Sequence, residues 1–125
     1  MSKTAIVILS NPNQNSEESL GRLFNALVIA NDLKQRNETV LVFFQGTGSR
    51  WINELQKSEH PAFGLFNSIK DKVAGVSNAC AHVFGAADDV IKVGVTMLSE
   101  FEIPGIGGAT SLAKYVQDGY AIITF

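Results

Sequence analysis

The chain alternates between short, unbroken apolar runs and longer stretches with helical spacing. Ala5, Ile6, Val7, Ile8 and Leu9 form the first run; Thr39, Val40, Leu41, Val42, Phe43 and Phe44 form the second. Unbroken rather than alternating hydrophobicity predicts strands covered on both faces, as in a parallel sheet. Between these runs, Leu20, Leu23, Phe24, Leu27 and Val28 recur at the i, i+3, i+4, i+7, i+8 spacing of one helix face. Asn15 or Ser16 is placed to cap this helix, Glu18 stands three residues after Asn15 as in a capping box, and Arg36-Asn37 ends it.

Beyond residue 44 the pattern is less regular. Residues 45–49 form a polar, glycine-containing exit loop. Residues 51–57 read as a short helix broken at His60-Pro61. Residues 63–73 read as another, with Phe63, Phe66, Ile69, Lys70 and Val73 on one side. Gly75 separates that helix from a third strand, residues 76–80, which is assigned by its place after two βα units rather than by its weak strand composition. A helix over 86–93 follows, with Asp88 and Asp89 early, Lys92 late and Gly94 just past its end. Residues 95–98 make a fourth strand, and Pro104, Gly105, Gly107 and Gly108 a loop. Thr110 or Ser111 opens a last helix that Gly119 terminates, and residues 120–125 make a fifth strand.

This alternation predicts an α/β fold: one domain over residues 1–125, a three-layer α/β/α sandwich around a five-stranded, mainly parallel sheet. Ligands and chemistry in such folds lie beyond the carboxyl ends of the strands, where residues 10–15, 45–49, 80–85 and 99–107 converge.

Charge narrows the partners. A net charge of −2 with scattered Lys and Arg offers no footprint for nucleic acid and no polybasic patch for a membrane. No apolar run approaches membrane-spanning length, and the first is too short for the core of a signal peptide. The single cysteine, Cys80, has nothing to pair with inside the chain, which predicts a cytoplasmic protein with a free thiol.

Cys80 ends the expected third strand, close to the amino end of a helix expected from about Gly85. Such a position favours a reactive thiolate, and Ala81 and Gly85 leave room for approach. It also fits a buried structural cysteine. His82 is either a proton shuttle beside it or a loop histidine without a role. A Cys-His-acid triad would need Glu100 or Glu102 in line, which spacing does not show. Cys80, His60 and His82 have no metal-ligand spacing, so no metal is expected. Gly46-Thr47-Gly48 lacks the third glycine of the dinucleotide fingerprint and reads as a turn. The loop holding Ser10, Asn11 and Asn15 has no P-loop signature. With Gln45 and Gly46 opposite, its polar side chains could still hold an anion at the amino end of the first helix. The glycines at 105–108 fit an anion nest or a flexible connection. Trp51 and Phe63 could cover a site or a subunit interface rather than fill the core.

The element order, the segment Gly75-Val76-Ser77-Asn78-Ala79-Cys80-Ala81, and the tail Leu112-Ala113-Lys114-Tyr115-Val116-Gln117-Asp118-Gly119-Tyr120-Ala121-Ile122-Ile123-Thr124-Phe125 resemble DsrE-like proteins, the family that includes sulfur-relay proteins of the DsrE and TusD type. The resemblance covers nearly the whole chain and is sharpest over residues 75–125. It implies that Cys80 matches the cysteine that accepts sulfane sulfur as a persulfide and passes it to a partner thiol, without a cofactor. It also implies donor and acceptor proteins as partners, and a homo-oligomer, a trimer or hexamer. The resemblance places Ser77 at the position of a second cysteine that some relatives carry, and with no other cysteine in the chain a two-thiol cycle within one chain is excluded. Membership of a fold family does not itself establish activity. A second reading is therefore a non-catalytic domain binding a nucleotide, flavin or other anion at residues 10–16 and 45–49. A third is a regulatory or assembly subunit.

Overall fold

The two apolar runs become neighbouring inner strands of the sheet. In the computed structural model, which describes residues 2–12 and 16–125, β1 spans Lys3–Ile8 and β2 Thr39–Phe44. They pair in parallel from Lys3↔Thr39 to Ile8↔Phe44. Ala5, Ile6, Val7 and Ile8 are all buried, the double coverage that unbroken hydrophobicity encodes.

Between them runs α1, Glu17–Gln35, capped by Ser16, whose hydroxyl accepts from the N–H groups of Glu18 and Ser19. Asn15, the alternative cap, lies outside the described residues. The buried stripe of α1 is Ser19, Leu23, Ala26, Leu27 and Ala30, whereas Phe24 and Val28 are 44% and 42% exposed. The expected apolar face is thus rotated. The small side chains Ala26 and Ala30 let the helix lie close on the sheet, and two large apolar residues are left at its flank.

The third strand differs more. The expected helix over 63–73 ends early, as α3, Phe63–Ile69, followed by one 3-10 turn, Lys70–Lys72. The strand β3 is Val73–Ser77, three residues before its expected place. The reason is Gly75, which lies inside the strand at φ 152° rather than ahead of it. A Cβ there would stand 2.5 Å from the Thr96 carbonyl oxygen and 3.0 Å from Leu98 Cγ, so the close approach of the neighbouring segment requires glycine.

The remaining elements are short. A 3-10 turn, Gly46–Arg50, leads into α2, Trp51–Glu54. After β3 come α4, Asn78–Val83, and α5, Ala87–Val93, then β4, Met97–Leu98. The expected glycine loop is instead an antiparallel hairpin of β5, Phe101–Ile103, and β6, Gly107–Ala109. Helix α6, Leu112–Gln117, and strand β7, Ala121–Thr124, complete the chain.

The five-stranded sheet has the order β4-β3-β2-β1-β7, every pair parallel. Helices flank it, unequally. Ile6, Ile8, Val42, Phe44 and Val76 on one face pack with buried residues of α1, α2, α3, α4 and α5. The other face buries Ala5, Val7 and Phe43 and is covered by half-buried groups, among them Leu112 and Tyr115 of α6. Tyr115 meets Phe43 edge-on at 4.9 Å.

Glu100 ties α6 to the hairpin. It accepts from Lys114 Nζ at 2.9 Å, Tyr115 O–H at 3.1 Å and Ser111 N–H at 3.2 Å. Burial alone would raise its pKa, but the hydrogen bonds from Lys114, Ser111 and Tyr115 outweigh it and hold the carboxyl below the ordinary 4.5. A carboxyl more acidic folded than unfolded stabilises the fold above its unfolded value. That contribution is lost as pH falls through the folded value. Glu38, hydrogen-bonded by Ser2, and Asp71, hydrogen-bonded by Lys34, act in the same sense. Thermal midpoints followed from neutral pH to below about 4.5 are expected to fall less steeply in Glu100→Gln than in the native protein. Parallel curves would show that Glu100 contributes nothing to acid sensitivity.

Candidate functional site

The chain turns directly from β3 into α4, and that turn places the thiol. Ser77, the last residue of β3, is the N-cap of α4. Asn78, Ala79 and Cys80 form the first helical turn. Cys80 is therefore on a helix, not at the end of a strand as its sequence context suggested. Ala79 and Ala81 on either side are 3% and 0% exposed, while Cys80 is half-buried. The small alanines seat the helix and leave the sulfur at its rim.

Gly85 ends this helix instead of opening the next. It adopts φ 73°, its N–H donates to His82 O at 3.3 Å, and the Ala86 N–H donates to Ala81 O at 2.7 Å. These paired bonds form a Schellman close. The Gly85 N–H is thus engaged by α4 itself. His82 is exposed. It lies two residues from Cys80, about 200° around the helix, so their side chains do not face each other. Glu100 is held by Lys114, Ser111 and Tyr115, and Glu102 is exposed on β5. The geometry assembles no Cys-His-acid line.

Of the other expected site residues, Ser10, Asn11, Gln45 and Gly46 lie at the same sheet edge, one or two strands away, and Asn15 lies outside the described residues. Gln45 donates its N–H to Ile8 O at 3.0 Å, and Thr47 Oγ1 donates to Leu9 O at 3.0 Å. The 3-10 turn that contains Gly46 therefore rests on the end of β1. Its Gly48 N–H is bonded to Gln45 O at 2.9 Å, as a turn and not a phosphate cradle.

Two residues fasten these loops. Trp51 Nε1 donates to Ser10 O at 2.8 Å. Arg50 donates from Nε to Phe84 O at 3.0 Å and from a terminal nitrogen to Asn11 Oδ1 at 3.2 Å. Its guanidinium also lies 5.9 Å from the centre of the Phe84 ring. Arg50 thus joins the exits of β1, β2 and α4, and sequence reasoning missed it. The available signal was an arginine directly after a glycine turn at the carboxyl edge of the sheet.

A separate pocket of about 420 Å³ opens between the ends of β1 and β7, lined by Ser10, Asn11, Ser16, Phe125 and the ion pair of Arg22 with Glu18, among others. It lies where the strand order reverses, the usual ligand position in open α/β sheets. Cys80 does not line it. Among the described residues, no group of three or more His, Cys, Asp or Glu side chains could hold a metal ion. No helix among them is long and apolar enough to cross a membrane.

Residues 2–125 match the model of the DsrE/DsrF-like family. Over 121 residues the chain is 29% identical to the uncharacterized protein MJ0733 of Methanocaldococcus jannaschii, covering 97% of this chain and 93% of that one.

Proposed function

The chain belongs to the DsrE/DsrF-like family, and from that premise we propose that it is a sulfur carrier that holds sulfane sulfur as a persulfide on Cys80. One observation carries this reading: the only thiol of the chain is half-buried in the first turn of α4, at the carboxyl edge of the sheet, between small residues.

The chemistry closes with one thiol. The Cys80 thiolate attacks the outer sulfur of a donor persulfide; a new S–S bond forms on Cys80, the donor S–S bond breaks, and the donor leaves as thiolate. An acceptor thiolate then attacks the outer sulfur on Cys80 and releases the Cys80 thiolate. The proton on the sulfane sulfur travels with it, and no external oxidant, metal or organic cofactor enters. Donor and acceptor are proteins or small molecules bearing thiols, in a reducing, cytoplasmic compartment where the thiol stays free. Phe24 and Val28 on α1 and Phe101 and Ile106 on the hairpin supply exposed apolar surface for a homo-oligomer.

The reduced protein is to be incubated with a low-molecular-weight alkyl persulfide, its intact mass measured and any adduct mapped. One added sulfur on Cys80, removed by a reductant, is the expected result. An unchanged mass would overturn the carrier reading.

A second reading is favoured by the pocket between β1 and β7. There Ser10, Asn11 and Ser16 beside Phe125 would suit a small polar ligand with an aromatic part, and Arg22, paired with Glu18 at 2.6 Å, could turn to an anionic group only by giving up that pair. Copurification of a chromophore or phosphate compound with the protein would support it.

A further inference from the structure

Three buried side-chain oxygens among the described residues have no hydrogen-bond partner: Gln45 Oε1, Ser77 Oγ and Thr110 Oγ1. Buried polar groups are nearly always paired, so each exception calls for a reason. Two of them are neighbours in the sheet. Phe44 pairs with Val76, so the residues that follow on each strand, Gln45 and Ser77, are neighbours one strand apart. Alternation turns both away from the face holding Phe44 and Val76 and toward the side that α6 covers. Thr110 links β6 to α6 on that side. Strand β6 in turn packs against α4: a Cβ added at Gly107 would lie 3.5 Å from Asn78 Nδ2.

Ser77 is the most informative of the three. It is 0% exposed and is the N-cap of the helix that carries Cys80 at its third position. An N-cap serine normally accepts from the helix N–H groups, and that of Ser77 does not. The N-cap and third-position side chains lie one turn apart on the same side, the relation exploited by capping boxes. The fold thus leaves unused a hydroxyl one helical turn from the thiol, with no hydrogen bond to Cys80 Sγ. We propose that Ser77 is a positioning residue for Cys80, its O–H donating to Cys80 Sγ as that sulfur carries negative charge. The inference rests on the persulfide reading. In unloading, the bond between Cys80 Sγ and the outer sulfur breaks and the electron pair stays on Sγ. A hydroxyl one turn away, free to rotate onto Sγ as the charge develops, stabilises the leaving thiolate.

The test compares native protein, Ser77→Ala and Ser77→Thr. Each is loaded with a low-molecular-weight alkyl persulfide and then mixed with excess mercaptoethanol, and loss of the added sulfur is followed by intact mass. Ser77→Ala is expected to unload about tenfold more slowly, the effect of one hydrogen bond to a charged group. Ser77→Thr, which keeps the hydroxyl, is expected to restore the rate. The thermal midpoint of Ser77→Ala should be unchanged or higher, because an unpaired buried hydroxyl is replaced by hydrogen. Equal unloading rates would overturn the proposal while leaving the carrier reading intact. A lowered midpoint in Ser77→Ala would also overturn it, since the hydroxyl would then serve the fold. Failure of the native protein to load at all would instead remove the carrier reading on which it rests.

Discussion

Cys80→Ser is expected to abolish sulfur loading while leaving the fold intact. Loading requires a nucleophile that is both ionised and polarizable, and a serine hydroxyl in water is neither. The chain has no other cysteine to take over, so the loss should be complete rather than partial. The packing cost is small, because Cys80 is half-buried and the exchange of sulfur for oxygen changes little volume. A stability change within about 1 kcal/mol is expected. Intact mass after persulfide treatment and a thermal midpoint measure both halves of this prediction. An adduct persisting in Cys80→Ser would show that sulfur attaches without the thiol and would remove Cys80 from the chemistry. A large fall in the midpoint would identify Cys80 as a packing residue.

Gly48→Ala should have the largest effect on the scaffold. A Cβ at this position would lie 2.1 Å from the Ile8 carbonyl oxygen and 2.8 Å from its carbon. Both are backbone atoms of an inner strand, and neither can rotate away. The Gly46–Arg50 turn must therefore lift from the end of β1 and carry with it the bonds from Thr47 to Leu9, Arg50 to Asn11 and Trp51 to Ser10. Overpacking against a rigid partner costs about 2–3 kcal/mol, which for a domain of this size lowers the thermal midpoint by roughly 10 °C. Gly21→Ala is the matching control. Gly21 lies within α1 with nothing inside 4 Å of its would-be Cβ. There the substitution should stabilise by about 0.5–1 kcal/mol through helix propensity. Equal effects of the two substitutions would contradict the close approach at Gly48.

The parts of this fold legible in the sequence are those where one signal dominates. Strand β2 has the predicted bounds because six consecutive apolar and β-branched residues admit little else. Helix α1 ends where Arg36-Asn37 suggests, with Asn37 at φ 58° as its exit. The region around the thiol was harder, since there local chemistry has two meanings. Gly75 looks like punctuation, yet the structure needs it inside a strand because Thr96 O comes so near. That shift moved β3 by three residues and hid α4, whose only local signals are two alanines and a terminal glycine. The glycines at 107 and 108 likewise read as a loop but form a strand. A Cβ on Gly108 would meet Ser99 Cβ at 2.6 Å, a long-range fact that no local pattern carries. Cys80 stood out by composition. Arg50 and the unpaired Ser77 hydroxyl emerge only once the strands are in register.

The unequal covering of the two sheet faces has a further consequence. Helix α4 is rooted through Ala81 in the broad, fully buried cluster. The hairpin packed against it, together with α6, belongs to the thinner side, where α6 buries no residue completely. Local opening follows buried contact, so the free energy needed to detach a segment is lowest there and highest around α1 and β1. The helix bearing the thiol is thus rooted in the part of the molecule expected to open last, and the hairpin wall beside it in a part expected to open early. Transient separation of that wall would admit a reactant as large as another protein's cysteine loop without loosening the helix on which the sulfur sits.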